Sequence, residues 1–488
     1  MASVKKELTK GVFWIAVAKY SGIVIQLLIS AILARKIAPA AFGTVAIAMV
    51  VLHFLNILAD IGVGPAVVQY KQLTKQHLNS LFTLTIYLGV ALTVALYLLS
   101  GVIADYYDNF TLQHVCQWMS LVVFFQSLNV VPNSLLRKDK RFRAIAIRTL
   151  LFQVLSGSIA VFGALHGWGI YALLVSPILT AFGMFCFNYY DYPLRFVSKM
   201  SNEAISLVAS FSFFQFAFSF CNYFSRNLDK LIIGKYFSMT QLGYYDKSYH
   251  LMMLPIQNVS YVIEPVLHPV LSTLQDSKHE LKAKNQKLAV IISNISFPIG
   301  LMLYFCGAEL IRIVYGGQWD AAIPVFRILA LSLPLQMILS ANVPVFQAAG
   351  KTNHLFVSGM LNTFCTVMGF FIAALWGGSI EAVAWSWDIT LTINFINTYF
   401  ILHVITLKES PVPYFRSLVP QLINSFLTWG IMMLVINVIP EQHIFVSLLY
   451  KIILITIFSI GFAVLLKQYD VRALYEYINS ILTKKSDK

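Results

Sequence analysis

The sequence has few charged residues and no long stretch between its apolar segments. Charged residues make up 11% of the 488 residues, whereas hydrophobic residues make up 58%. The longest connecting segments are Asp191–Ser206 and Ser272–Lys287, and both are too short to fold as a soluble domain. This composition excludes an ordinary soluble enzyme and indicates a protein that lies mostly within a membrane.

Enzyme and metal motifs are also missing. The sequence contains no Walker motif, no GxSxG and no HExxH, and it gives no sign of paired carboxylates in a soluble cleft. Its five cysteines show no CxxC spacing, and its ten histidines are dispersed. We therefore expect no enzyme activity, no catalytic residue, no metal and no cofactor. Coupling to a proton or sodium gradient stays open.

Fourteen apolar stretches run through the chain, and each is long enough to cross a bilayer. A membrane span needs about 20 mostly apolar residues for roughly 30 Å of hydrocarbon. The predicted spans are Val12–Ala34, Phe42–Gly64, Ser80–Ala104, Leu112–Pro132, Ala144–His166, Trp168–Tyr190, Leu207–Ile233, Leu242–Leu271, Leu288–Gly307, Ala321–Val345, Leu355–Trp376, Ile380–Leu402, Leu418–Ile439 and Phe445–Lys467.

Basic residues cluster on alternate connecting segments and predict the orientation. If the N-terminus is cytoplasmic, 24 of the 35 lysines and arginines fall on the cytoplasmic side. Cytoplasmic loops carry such an excess, so both termini are predicted to lie in the cytoplasm. The net charge of +14 is then explained by topology and contact with anionic lipids, without nucleic acid.

A short internal repeat suggests two related halves. The segment Leu33–Gly43 resembles Ile233–Gly243, because in both a span ends, a basic residue follows and a glycine opens the next span. Asn129–Pro132 and Ala341–Pro344 form a second pair. Each pair lies on one side of the membrane, as expected for repeats related by an axis along the membrane normal.

These patterns predict an all-α polytopic membrane protein of about 14 transmembrane helices. Two six-helix lobes, related by a pseudo-two-fold axis along the membrane normal, would be followed by two C-terminal helices. The predicted domains are 1–200 for the first lobe, 201–410 for the second, and 411–488 for the terminal helix pair and tail.

Charged residues within spans are costly and commonly face a cavity or a charged partner. The basic residues in the predicted spans suggest a cationic lining for an anionic substrate, since arginine and lysine both bind phosphate. The candidate substrate-binding residues are Lys19, Arg226, Asn227 and Arg327. Structural pairing, such as Lys19 with Asp60, is the alternative.

Four acidic residues within the predicted spans allow two interpretations. Asp60, Asp229, Glu264 and Asp388 are candidates for ion coupling or gating through a bound proton or sodium ion. Each is equally compatible with a helix cap or an ion-pair partner.

Three motifs resemble those of a known transporter superfamily. They are Leu58-Ala-Asp-Ile-Gly-Val-Gly-Pro-Ala-Val-Val-Gln69, Arg226-Asn-Leu-Asp-Lys-Leu-Ile-Ile-Gly234 with Leu242-Gly-Tyr-Tyr245, and Tyr315-Gly-Gly-Gln-Trp319. Their order and span positions resemble the multidrug/oligosaccharidyl-lipid/polysaccharide exporter superfamily. Within it they resemble the polysaccharide branch, particularly the colanic-acid-type and O-antigen-type repeat-unit flippases.

The resemblance implies alternating access through a central cationic cavity in the bacterial inner membrane. The implied substrate is an undecaprenyl-diphosphate-linked oligosaccharide, carried to the outer leaflet for surface polysaccharide synthesis. Membrane lipids and a polysaccharide polymerase or export machinery are the implied partners. The alternatives are an ion-coupled multidrug antiporter, a membrane glycosyltransferase or polymerase, and a non-transporting scaffold.

Overall fold

The structure is a computed structural model that describes residues 2–70, 72–198, 200–201, 223, 227–272, 277–439 and 443–466. Within residues 2–13, 15, 18, 259–270, 272 and 352 only the backbone is described. All regular elements in these ranges are helices, and none of the described residues forms a strand. The predicted all-α membrane fold is therefore confirmed.

The chain folds into a succession of long helices joined by short connections. The helices of the first half are α1 (Ala2–Lys36), α2 (Pro39–Asp60), α3 (Val63–Gln69), α4 (Lys75–Tyr106), α5 (Phe110–Lys138), α6 (Phe142–Leu165), α7 (Tyr171–Asp191) and α8 (227–236). The helices of the second half are α9 (Met239–Ser272), α10 (Lys278–Phe305), α11 (Gly307–Val314), α12 (Ile323–Ser340), α13 (Asn342–Ala348), α14 (Thr352–Ile372), α15 (Ile380–Phe400), α16 (Val412–Val438) and α17 (Ile444–Leu465).

Eleven helical segments of the described chain are long and apolar enough to cross a membrane. They coincide with eleven of the fourteen predicted spans, and the first and eighth predicted spans fall within α1 and α9. The seventh predicted span lies largely outside the described residues. The total of fourteen spans therefore stays a prediction.

Polar residues at the helix ends define where several spans begin. The side chains of Thr74, Asn109, Ser277 and Ser379 accept hydrogen bonds from the first-turn amides of α4, α5, α10 and α15. The first amides of a helix have no partner within the helix, so such side chains stabilise its N-terminus. The connecting segments thus supply the residues that cap the starts of these four helices.

The chain divides into two compact units. The first comprises Met1–Asp246 together with Val314–Gln318. In it, α5 packs against α2, α4 and α7, while α6 packs against α1 and α7. One buried apolar cluster joins α3, α4 and α5 through residues such as Val67, Leu81 and Val131.

The second unit comprises Lys247–Ile313 and Trp319–Lys488. In it, α12 packs against α10 and α15, α14 packs against α15, and α16 contacts α10 and α17. A row of amides and hydroxyls joins α14 to α15, with Asn362 Nδ2 2.9 Å from Thr398 Oγ1 and Asn394 Nδ2 3.0 Å from Thr366 Oγ1. Such side-chain bonds hold helices together where lipid provides no hydrophobic driving force. The predicted domain boundaries stay a prediction.

Candidate functional site

Motif residues that are distant in sequence come together in the first unit. The ends of α1 and α8, the starts of α2 and α9, and the segment Val314–Gln318 lie there. We call the group Gly43, Asp229, Lys230, Gly243, Tyr245, Asp246 and Gln318 the motif cluster. It contains members of both halves of the internal repeat and of two of the three family motifs.

The repeated glycines Gly43 and Gly243 allow α2 and α9 to cross at very short distance. A Cβ atom on Gly43 would lie 1.8 Å from the carbonyl oxygen of Met239, and one on Gly243 would lie 2.2 Å from that of Pro39. The contact is reciprocal, because each glycine faces the residue four positions before the other. Only glycine fits at these two positions without separating the helices.

Lys230 and Asp246 form an ion pair beside this crossing. The Lys230 ammonium lies 2.6 Å from Asp246 Oδ1, and the two side chains are 20% and 22% exposed. Lys230 lies six residues before the end of α8, which places it about 9 Å from that helix end. The sequence favours an interfacial, snorkelling role for Lys230. It gives no indication of the ion pair, because Asp246 lies on another helix.

Asp229 of the cluster and the neighbouring Tyr315 are both buried near this ion pair. Asp229 is 2% exposed, accepts a hydrogen bond from the Lys230 amide at 2.8 Å, and lies next to Tyr245. Tyr315 is fully buried, and its burial, together with the negative charge of Asp246, raises the pKa of its hydroxyl above the usual range. Both residues therefore contribute to the packing around the pair.

Gln318 explains part of the Tyr315–Trp319 motif. Its side-chain amide donates hydrogen bonds to the carbonyl oxygens of Ala34 and Ile37, the latter at 3.3 Å. The last carbonyls of a helix have no partner within the helix, so Gln318 caps the end of α1. The neighbouring Gly316 has a φ of +95°, a conformation that favours glycine.

The Leu58–Gln69 motif forms a break between two helices. Gly62 has a φ of +79°, α2 ends at Asp60, and α3 begins at Val63. Asp60 Oδ1 accepts a hydrogen bond from the Gly64 amide at 2.7 Å, which satisfies one of the first amides of α3. The single span predicted at Phe42–Gly64 is therefore shorter than expected, because this break ends it.

The other candidate residues of the first unit are located as follows. Lys19 lies half-buried on α1. Asn227 begins the described part of α8 and donates a hydrogen bond to the Tyr223 carbonyl at 3.0 Å. Arg226 lies outside the described residues. Asn227 and Asp229 thus share one helix, while the contribution of Arg226 stays a prediction.

The remaining candidates belong to the second unit. Arg327 is half-buried on α12, and its Nε atom is buried without a hydrogen-bond partner among the described residues. Asp388 is 9% exposed on α15, and neither carboxylate oxygen has a hydrogen-bond partner there. Glu264 lies in α9, where only the backbone is described.

Sequence analysis missed two buried charges with a clear environment. Arg148 on α6 is 3% exposed and donates to Asn133 Oδ1 at 2.6 Å. Glu309 on α11 pairs with Lys451 on α17 and accepts a hydrogen bond from Ser447. Arg148 lies inside a predicted span, so its charge within an apolar stretch is the sequence feature that could have identified it. The partner of Lys451 is 142 residues away and gives no local pattern.

The motif cluster contains a lysine ammonium group, which is a group that can bind an anion. Among the described residues, no three histidine, cysteine or acidic side chains are grouped closely enough to hold a metal ion. The motif cluster combines a partly exposed lysine–aspartate ion pair with a helix crossing that depends on glycine. These elements can bind a negative group and can change their contacts without breaking covalent bonds.

Comparisons with known proteins identify the family. A sequence profile described as polysaccharide biosynthesis protein matches residues 32–324, which is more than half of the chain. A membrane protein in the cps region of Klebsiella pneumoniae is 27% identical, with 85% of this chain and 86% of that protein covered.

Two further relatives have named roles. The teichuronic acid biosynthesis protein TuaB of Bacillus subtilis (strain 168) is 25% identical, with 87% of this chain and 88% of that protein covered. The succinoglycan biosynthesis transport protein ExoT of Rhizobium meliloti (strain 1021) is 24% identical, with 78% and 77% covered. The similarity therefore extends over at least three quarters of each relative.

Solved structures show the same fold at low sequence identity. The lipid II flippase MurJ in an inward closed conformation has a TM-score of 0.71 and 13% identity, covering 93% of this chain and 99% of that one. An inward-facing multidrug resistance MATE family transporter has a TM-score of 0.61 and 14% identity, covering 82% and 99%. At such identities the likeness extends to the fold alone, and it is shared by a lipid flippase and a drug transporter.

Proposed function

Because this chain belongs to the polysaccharide biosynthesis protein family, we propose that it is a flippase for a lipid-linked oligosaccharide. It would move an undecaprenyl-diphosphate-linked repeat unit from the cytoplasmic to the outer leaflet. The observation that carries the proposal is the family match over residues 32–324, supported by relatives named for polysaccharide biosynthesis and transport. The protein is a multi-pass membrane transporter and not an enzyme.

The physical problem of this transport fits the residues of the chain. A diphosphate and several sugars cannot cross lipid unaided, since each unsatisfied polar group costs several kcal/mol in hydrocarbon. The protein must therefore supply donors and positive charge along the route. We assign this role to Lys19, Arg226, Asn227 and Arg327, while the prenyl chain stays in lipid.

Transport in this proposal proceeds by alternating access. Repeat-built transporters expose one site to each side of the membrane in turn, largely by rigid-body movement. The crossing of Gly43 and Gly243 lies at the predicted outer end of α2 and α9, and we assign to it the closing of that side. Opening to the outside would then require this crossing to separate.

Asp388 is our candidate for coupling to a proton or sodium ion. It is a buried carboxylate whose oxygens have no hydrogen-bond partner among the described residues. A buried carboxylate in such a place is costly as an anion and favours a bound proton or cation. Asp60, Asp229 and Glu264 are the weaker candidates, since Asp60 and Asp229 already accept backbone hydrogen bonds.

The bacterial inner membrane is the proposed location, with both termini in the cytoplasm. Surface-polysaccharide polymerase or export machinery would then receive the substrate on the outer side. These assignments rest on the basic residues of the connecting segments and on the roles named for the relatives.

Depletion of the protein in its own host tests the proposed function. Lipid-linked oligosaccharide should accumulate in the inner leaflet, and wild-type protein should reverse this, whereas Arg226→Ala should not despite equal expression. Normal leaflet distribution together with new drug sensitivity would contradict the proposal and favour a multidrug transporter.

A further inference from the structure

The ion pair in the motif cluster differs from the buried ion pair of the second unit in its accessibility. Lys230 and Asp246 are 20% and 22% exposed, whereas Lys451 and Glu309 are only 9% and 8% exposed. An ion pair that is enclosed by the protein stabilises the packing of its helices and has no room for an incoming ion. A pair that is partly open can exchange its partner for an incoming ion.

Lys230 is suited to bind a phosphate because its ammonium group is a compact charge with three donors. Two acidic side chains lie near it. Asp229 is held by the Lys230 backbone amide and is almost fully buried, so it is fixed in place. Asp246 contacts the ammonium itself at 2.6 Å and is accessible. A phosphate that binds this ammonium group would therefore compete with Asp246.

We propose that Lys230 binds the phosphate of the lipid-linked substrate and that Asp246 competes for the same ammonium group. The ion pair re-forms when the phosphate leaves, so Asp246 promotes release near the predicted outer end of α8 and α9. The inference rests on the proposed function and adds to it a binding residue and a release residue.

Competition between Asp246 and a phosphate for the Lys230 ammonium group has a clear physical consequence. When Asp246 pairs with Lys230, it displaces a phosphate from the same ammonium group. When the phosphate is bound instead, the negative charge of the nearby Asp246 repels it. Removing the charge of Asp246 should therefore tighten phosphate binding, although it breaks a native contact. Removing the charge of Lys230 should weaken binding. A purely structural ion pair predicts no such opposite effects.

Binding of undecaprenyl phosphate to the purified full-length protein in nanodiscs tests this inference. Undecaprenol serves as the uncharged control ligand. Lys230→Met should weaken undecaprenyl phosphate binding by about tenfold, and Asp246→Asn should tighten it by about tenfold, as expected for one charge-assisted hydrogen bond. Lys230→Arg should keep most of the affinity, and undecaprenol should bind equally to all variants.

A matched control is available on the same side of the molecule. Lys235 pairs with Asp108 at 3.4 Å, with 33% and 86% of the side chains exposed. Lys235→Met removes a lysine ion pair outside the motif cluster and should change phosphate affinity by less than about twofold. Thermal unfolding of each variant shows whether a change in affinity follows from loss of folded protein.

Unchanged or weaker phosphate binding by Asp246→Asn would overturn the inference. So would equal binding of undecaprenol and undecaprenyl phosphate to the wild type. If either of these binding results came with normal transport in the depletion experiment, only this inference would fail. If the opposite affinity changes were found without any transport, the phosphate site would stand and the proposed function would fail.

In cells, Asp246→Asn should slow transport even though it binds the phosphate more tightly. Slow release lowers the maximal rate, whereas weak binding raises the substrate level needed for half that rate. Asp246→Asn should therefore lower the maximal rate, and Lys230→Met should raise the half-saturating level. The same defect in both variants would overturn the assignment of separate roles.

Discussion

At the scale of single residues, Lys451 and Glu309 form the most enclosed charge pair of the described chain. Lys451 also donates to the Phe305 carbonyl at 3.2 Å, and Ser447 donates to Glu309. The pair ties α17 to the start of α11 within the second unit. A buried charge that loses its partner is strongly destabilising.

Lys451→Met should therefore lower the free energy of unfolding by about 3 kcal/mol, because it leaves Glu309 buried without its partner. Thermal or denaturant unfolding in detergent measures this change. The double variant Lys451→Met, Glu309→Gln should recover most of the loss, since it removes both charges. Lys235→Met is the matched control, and an equal loss there would contradict the explanation.

The same pair predicts how stability depends on pH. Burial disfavours the charged form of Glu309, but hydrogen bonds from Lys451 and Ser447 outweigh this and lower the pKa of the carboxyl below its usual 4.5. A lowered pKa means that the stabilisation is complete above pH 4.5 and is lost as the pH falls through the folded-state pKa.

Unfolding of wild type and Glu309→Gln should therefore converge as the pH is lowered below about 4.5, because the carboxyl of the wild type becomes neutral. Above that pH the wild type should be the more stable protein. A constant difference between the two proteins from pH 7 to pH 3 would contradict the assigned pKa direction.

Single-residue roles could be predicted only in part from the sequence. A charged residue within an apolar stretch can be recognised from sequence alone, as for Lys451 and Asp388, because the neighbouring residues already place the charge within a span. Such a charge raises the free energy of the span unless it has a partner. Its partner depends on which helices become neighbours. The contacts Lys451–Glu309 and Lys230–Asp246 join different helices, so no local pattern indicated them.

At the scale of helices, the crossing of α2 and α9 depends on two glycines. Gly43→Ala and Gly243→Ala should each separate the helices, because the new methyl group would overlap a carbonyl oxygen of the other helix. We expect transport to fall by at least about tenfold, as the crossing closes the predicted outer side in our account. The leaflet assay in depleted cells measures this effect.

Gly430→Ala is the control for the helix crossing. Gly430 lies within α16, and a Cβ atom there would meet nothing within 4 Å. This variant should fold and transport as wild type does, since alanine is also the better helix former. Equal defects in Gly43→Ala and Gly430→Ala would show that the crossing has no special role.

The helices themselves were largely predictable, whereas their interruptions were less so. Long apolar stretches determine the spans, so eleven of them coincide with described helices. The break at Ile61–Gly62 and the π-helical turns Ala373–Gly377 and Ile401–Leu407 depend on backbone hydrogen bonds and packing. Hydropathy averages over such features, so it predicts one span that continues through the Asp-Ile-Gly sequence.

At the scale of the whole molecule, the distribution of basic residues predicts the orientation in the membrane. Lys138 and Lys282 should face the cytoplasm, whereas Asp108 and Asp320 should face the outside. Single cysteines at these positions, labelled in intact cells with a membrane-impermeant reagent, measure this. Labelling of Lys138→Cys but not Asp108→Cys would contradict the orientation and with it the direction of transport.

The internal repeat shows what sequence can contribute at this scale. Similar segments at Leu33–Gly43 and Ile233–Gly243 predicted equivalent helix starts, and the structure places these two starts in reciprocal contact. The equivalence of these two helix starts can be recognised from the sequence, because glycine is needed at both positions. Their direct contact did not follow, since it depends on how distant helices pack.

Transport by the purified protein is the measurement that tests the central claim most directly. The protein would be reconstituted in liposomes that contain undecaprenyl-diphosphate-linked oligosaccharide, and a membrane-impermeant glycosidase added outside would report which leaflet holds the sugar. Our account predicts that wild-type protein exposes the protected inner pool to the enzyme and that Lys230→Met does so more slowly at low substrate. An inner pool that stays protected in liposomes with correctly folded wild-type protein would contradict the account.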